Sequence, residues 1–248
     1  MFSFPAPPKK HTRQGFVKAG SPYNQLGRFF IGLDPAWSGI SAIEFAEGAP
    51  VSFVSHCVIG ENTGLERVTQ PSHRNVLNLK EAFVINNNMF FLYAQWGLTL
   101  KEIQKLSPVF QLGEVEVATV CKGILRGLKY IHNTLGISHG NVACSSILIT
   151  DEGEVKITGI GESMTRERRP QGKAEDIRSV CKMVHTLLRL SDATGVRGTM
   201  GILAEDFVGV PSTATAEDLL QHPFLQVSAA PWCLRPINIL CAIARERK

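Results

Sequence analysis

The residues of this chain that combine a reactive type with a telling spacing cluster in one stretch, His139-Gly-Asn-Val-Ala-Cys-Ser-Ser-Ile-Leu148. It is followed by Val155-Lys-Ile-Thr-Gly-Ile-Gly161 and, further on, by Asp176. An amide such as Asn141 cannot act as a base near neutral pH, and Ser146 is a short, weak ligand for a metal. Cys144 has no adjacent basic residue to lower its pKa, so a buried, inert thiol is expected rather than a nucleophile. His56 and Cys57 are adjacent but lack further nearby ligands, which argues against a metal centre. The run Arg166-Glu167-Arg168-Arg169 reads as a solvated loop, with a basic docking patch as the alternative.

The elements that must position these residues can be read from periodicity. Ser146–Thr150 and Val155–Ile157 are short apolar strands around a turn at Asp151-Glu-Gly153. Val117, Val120, Cys121, Ile124, Leu125, Leu128 and Ile131 recur at helical spacing and give one broad apolar face. A second buried helix carries Ile177, Val180, Cys181, Val184, Leu187 and Leu188, and Thr215 can cap a third, with Asp218 near its positive end. Upstream the period is two. Ile40–Phe45 is strand-like, Pro50–Val54 looks like its partner, and Phe83-Val84 and Met89–Tyr93 flank Asn86-Asn87-Asn88, a good hairpin turn because Asn tolerates positive φ. Residues 1–27, rich in Pro, Lys, Gly and Ser, are expected to be a flexible arm. A strand-rich first third and a helical remainder imply a two-lobed α+β protein.

Composition narrows the function classes. The chain is 44% hydrophobic and 19% charged, with a net charge of +4, too modest to mark a nucleic-acid binder. No apolar stretch reaches the roughly eighteen residues of a membrane span. The N-terminus, MFSFPAPPKKHTRQG, lacks the apolar core of a secretory signal. Six cysteines without a CxxC pair read as free thiols in a reducing compartment, so a cytoplasmic location is expected, with the nucleus as a further possibility.

The order of these segments resembles a protein kinase. His139–Leu148 and Val155–Gly161 are similar to that family's H-R-D-L-x-x-x-N-I-L and V-K-x-x-D-F-G loops. His73-Arg-Asn-Val resembles its H-P-N-I-V stretch, Asp176-Ile-Arg-Ser179 its D-x-W-S, and Leu219-Leu-Gln-His-Pro-Phe-Leu225 its closing helix. The tail, with Leu234-Arg-Pro-Ile-Asn-Ile-Leu240, looks most like PAK-type Ser/Thr kinases. The resemblance covers residues 29–248. It implies a kinase-like domain over 28–248, with a small strand-rich N-lobe at about 28–96 and a larger helical C-lobe at about 97–248, both shortened.

The chemistry the family needs is replaced position by position. Phosphoryl transfer uses a carboxylate to accept the substrate proton, metal ligands and a lysine on the phosphates. The resemblance matches Asn141 to the proton-accepting Asp, Ala143 to the catalytic-loop Lys, Ser146 to the metal-binding Asn and Gly159 to the metal-binding Asp. Val54 falls where the phosphate-binding lysine of V-A-I-K should be. The former nucleotide cleft would be lined by Gly32, Gly39, Tyr93 and Ala94, with Asp34 repelling phosphate and Trp37 a loop anchor or partner contact. The regulatory helix between Val54 and His73 and the activation segment between Gly161 and Asp176 are both short.

Retained, by contrast, are groups of the former active site's frame. His139 and Asp176 would hold the loop, Ile160 would pack in place of the D-F-G Phe, and Gly161 would keep the turn. These readings imply no catalytic residue, no metal and no cofactor, with ATP bound without magnesium as the alternative. The expected function is that of an inactive scaffold or allosteric regulator whose partner is a protein, an active kinase among the candidates. The alternative is a divergent Ser/Thr protein kinase.

Overall fold

The computed structural model describes residues 16–24, 28–32, 40–45, 52–60, 63–93, 97–106, 112–189, 201–211, 213–237 and 239–240. Alternating short runs in the first part form β1 (Val17–Ala19), β2 (Phe29–Gly32), β3 (Ile40–Phe45), β4 (Ser52–Val58), β5 (Leu79–Ile85) and β6 (Asn88–Tyr93). They make one sheet of order β1-β5-β6-β4-β3-β2, antiparallel throughout except for the parallel β1–β5 pair. Asn86 and Asn87, both at positive φ, close the β5–β6 hairpin as their side chains permit.

Beyond Tyr93 the chain turns helical. A short β7 (Leu98–Thr99) leads into α1 (Leu100–Leu106), then α2 (Glu114–Lys129), which runs on into a π-helical turn at Tyr130–Thr134. The hairpin of β8 (Ile147–Ile149) and β9 (Val155–Ile157) joins β7 in a second, three-stranded sheet. It is followed by α3 (Ile160–Thr165), α4 (Gly172–Arg189), α5 (Ile202–Val208) and α6 (Ala216–Leu220). Thr215 caps α6, its hydroxyl accepting the Asp218 backbone N–H while Asp218 bonds back to Thr215.

A strand-rich N-terminal region followed by a helical C-terminal region is the α+β architecture of a shortened kinase-like fold. The apolar face of α2 is fully buried from Val117 to Leu128, as its spacing requires, and α4 buries Ile177, Val180, Val184 and Leu187 beside it. The two regions are clipped together at Asn75–Leu77. Here Ile157 N–H donates to the Asn75 carbonyl, Leu77 N–H donates to the Ile157 carbonyl, and the Asn75 amide reaches the Val155 carbonyl.

Within the stretch read as an arm, residues 1–27, the described residues 16–24 are tied to the sheet. Val17–Ala19 pair in register with Ala82–Val84 at the sheet edge, and Lys18 forms an ion pair with Glu81. Tyr23 then packs edge-on against Phe30 and Phe90. Three residues without apolar periodicity give no strand signal alone; β5 recruits them by offering a free edge.

Between β4 and β5 the described residues hold only a single 3-10 turn, Leu65–Arg67. In place of a long helix there, α3 packs against β5 and against that turn.

Candidate functional site

Asp176, in α4, is 1% exposed and its two oxygens organise the loop before β8. Oδ2 accepts the His139 backbone N–H at 2.7 Å and Oδ1 the Gly140 N–H at 2.8 Å. His132, from the π-helical turn, donates its Nε2–H to Oδ2 at 2.9 Å. Gly140 turns the chain here at φ +71°, which a glycine adopts without strain. Ser146 closes the loop's far end: its Oγ accepts the Ala143 N–H and donates to the Asn141 carbonyl. A hydroxyl engaged in this way serves as a brace for the loop.

His139 is the second post. Its Nε2–H donates to the Thr158 carbonyl at 2.7 Å, and its own carbonyl accepts from Ser163 Oγ and Arg166 Nη1. Nδ1 is buried with no partner among the described residues. Burial holds this imidazole below the usual histidine pKa, against the opposing pull of the Thr158 carbonyl and Asp176. The unfolded chain, with a histidine pKa of about 6.5, therefore takes up a proton that the folded chain resists. Stability from His139 is complete above about pH 6.5 and is lost as the pH falls below it. Half-buried His73, lowered by burial too, adds in the same direction. Urea melts should give a lower unfolding free energy at about pH 5 than at about pH 7, and His139→Gln should flatten part of that dependence.

A cleft of about 430 Å³ opens between the sheet and this loop. Its lining includes Tyr93, His139, Asn141, Ser146 and Gly159, so these predicted site residues are brought together. Ala143 does not line it, and Gly32 lies exposed in β2 away from it. Gly39 and Ala94, like Asp34 and Trp37, lie outside the described residues. Ile160 is buried in the core, as its apolar side chain requires.

Two sequence assignments change. Val54 does not face the cleft: it is fully buried among Ala42, Phe83 and Leu92 on the other side of the sheet, while Phe53 and Ser55 line the cleft. Since side chains alternate along a strand, a one-residue slip puts the wrong residue inward, and here Phe53 and Ser55 face the cleft in place of Val54. Gly161 does not make the turn either. The left-handed residue is Gly159, at φ +77°, the N-cap of α3, and Gly161 sits inside α3 against the Phe91 ring.

The residue missed altogether is Glu162. From the first turn of α3 its carboxylate accepts Ser55 Oγ–H at 2.5 Å and Tyr93 Oη–H at 2.9 Å, so it ties the helical region to two strands of the sheet. Tyr93 in turn accepts the Gly161 N–H at 3.1 Å. Burial, and next the Glu162 charge, push the Tyr93 phenol well above its usual pKa, so it stays a donor. Alternation along β4 was the available signal for Ser55; for Glu162 it was a carboxylate three residues after Gly159, one helical turn into the cleft. Burial likewise raises the Cys57 and Cys144 thiols, and no group of three His, Cys, Asp or Glu among the described residues could hold a metal ion.

A sheet and a helical region joined across a cleft, with a carboxylate-held loop at its floor, define a kinase-like architecture. No family model matches the chain. Serine/threonine-protein kinase PAK 5 of Rattus norvegicus is 25% identical over 215 residues, which covers 66% of this chain and 29% of that protein. Mitogen-activated protein kinase kinase kinase 18 of Arabidopsis thaliana is 28% identical over 224 residues, 70% of this chain and 63% of that protein. Serine/threonine-protein kinase CLA4 of Candida albicans is 31% identical over 91 residues, 36% of this chain and 9% of that protein. The chain thus spans less than a third of the PAK 5 length. These relatives are protein kinases at modest identity, and they support a place for the chain in the kinase-like superfamily.

Proposed function

We propose that this chain is a catalytically silent, PAK-related member of the kinase-like superfamily. In this reading it acts in the cytoplasm as a scaffold or allosteric regulator of a signalling kinase or its partners. The observation that carries the reading is a contrast within one site: Asp176 still organises the loop through three hydrogen bonds, while the cleft beside it presents Ser55, Asn141 and Gly159 where transfer chemistry needs a lysine and two carboxylates. The side chains present do not fit a magnesium nucleotide. Ser55 brings no positive charge, Gly159 brings no oxygen from its side chain, and the one carboxylate among the described residues of the cleft lining, Glu162, is engaged by Ser55 and Tyr93. A frame kept without its reactive groups suits a protein that presents a surface.

Lys101 and Arg166, exposed members of the cleft lining, favour a second reading, a divergent Ser/Thr kinase that retains metal-independent ATP binding. Thermal melts separate the two. A ligand at a hundredfold excess over its Kd stabilises the native state by about 2.7 kcal/mol. The expected result is an unchanged melting temperature with millimolar ATP, with or without magnesium. A magnesium-dependent rise would overturn the silent-kinase reading, and a rise independent of magnesium would favour the second.

A further inference from the structure

Arg166, Arg168 and Arg169 follow α3 on an extended stretch and together line a second cavity, of about 340 Å³, which shares only Arg166 with the cleft. Gly140 and the buried Ser163 contribute to its lining. Arg166 is held in place by its hydrogen bond to the His139 carbonyl, so this guanidinium is tied to the same loop that Asp176 organises. Glu167 and Glu175 line the cavity too, yet none of the three guanidiniums forms an ion pair with a described residue. The three guanidiniums outnumber the two carboxylates of the lining, and a multiply charged anion seated between the arginines would offset their mutual repulsion. Guanidinium forks match the oxygens of a phosphate in pairs, and a phosphomonoester carries about −1.5 to −2 charge near neutral pH, where a carboxylate carries only one. The site is concave and the net charge of the chain is only +4, which suits a single protruding side chain better than a flat anionic membrane.

We propose that this cavity receives a phosphorylated serine or threonine side chain of a partner protein. The inference rests on the scaffold reading for its partner, since it names the chemical mark by which that partner is recognised. Its test is independent of the cleft.

The full chain is presented with a library of phosphoserine and phosphothreonine peptides of randomised flanks, alongside the same library unphosphorylated, and the strongest binder is titrated by fluorescence anisotropy. The phosphorylated peptide should bind about tenfold or more tightly than its unphosphorylated twin, with affinity falling as salt is raised. The double variant Arg168→Ala/Arg169→Ala, exposed at both positions, should keep the parent melting temperature and lose about tenfold in affinity. Glu152→Ala, at the distant β8–β9 turn, should bind like the parent. Equal binding of the two twins, undiminished binding by the double variant, or binding confined to vesicles of anionic phospholipid would each overturn the proposal. A chain that bound magnesium-ATP yet kept phosphate-dependent peptide binding would refute the silent-kinase reading and leave this one standing.

Discussion

Substituting Asp176 by alanine is expected to cost about 3 kcal/mol of folding free energy, the upper range for leaving buried hydrogen-bond donors unsatisfied. Three donors converge on this 1%-exposed carboxylate: the N–H groups of His139 and Gly140 and the His132 ring. Alanine leaves all three without their acceptor, two of them, the His139 N–H and the His132 ring, in buried positions. A loss of this size is a large share of the 5–15 kcal/mol that holds a typical domain together. Asp176→Asn, which keeps one oxygen acceptor, should recover part of it. Glu152→Ala, exposed at a turn, should change stability by less than about 0.5 kcal/mol. Urea melts compared at equal slope decide the matter, and coincident midpoints for Asp176→Ala and Glu152→Ala would remove Asp176 from its organising role.

The second large effect is expected at Gly161. A Cβ at this position would stand 2.7 Å from Cε1 and Cγ of the Phe91 ring, which is itself fully buried. Valine must therefore push α3 off the sheet, and forced overpacking of a core costs about 3 kcal/mol at its upper range. The displacement has a local reading as well. It separates Glu162 from Ser55 and Tyr93, so hydrogen–deuterium exchange across 159–166 should rise even where the protein remains folded. Gly32→Ala, with nothing within 4 Å of the added atom, is the control and should be nearly neutral. Unchanged exchange in Gly161→Val would mean that α3 is not fixed by its approach to Phe91.

Much of the fold was legible because its longest elements carry strong patterns. Val117 to Leu128 recur at 3.6 residues and are buried together; Asn86 and Asn87 sit at positive φ where a hairpin was expected; and Gly153, at φ +81°, turns the chain between β8 and β9. Asp176 was legible by its place in an ordered set of segments, and it does reach the loop at His139 and Gly140. Less was legible in the site. Alternation along β4 says that Phe53 and Ser55 share a face opposite Val54, but not which face meets the cleft, and the structure gives the cleft to Phe53 and Ser55. The spacing from Gly159 hints at Glu162 but does not name its partners, which lie 107 and 69 positions upstream and are brought near only by the packing of α3 on the sheet. Gly161 reads as a turn residue by analogy, whereas its lack of a side chain serves close packing.

The parallel pairing of Val17–Ala19 with Ala82–Val84 covers part of an otherwise open sheet edge. Without β1, strand β5 would be the margin of the sheet, and its unpaired N–H and C=O groups would be a template for any other extended chain. The three residues of β1 cap that margin over its middle, and Lys18 adds a charge beside Glu81 that an incoming strand would have to displace. A fragment beginning at residue 28 would keep the cleft and the Asp176-held loop yet expose the whole length of Leu79–Ile85. Such a fragment is expected to associate edge to edge more readily than the full chain, which size-exclusion chromatography of the two would check.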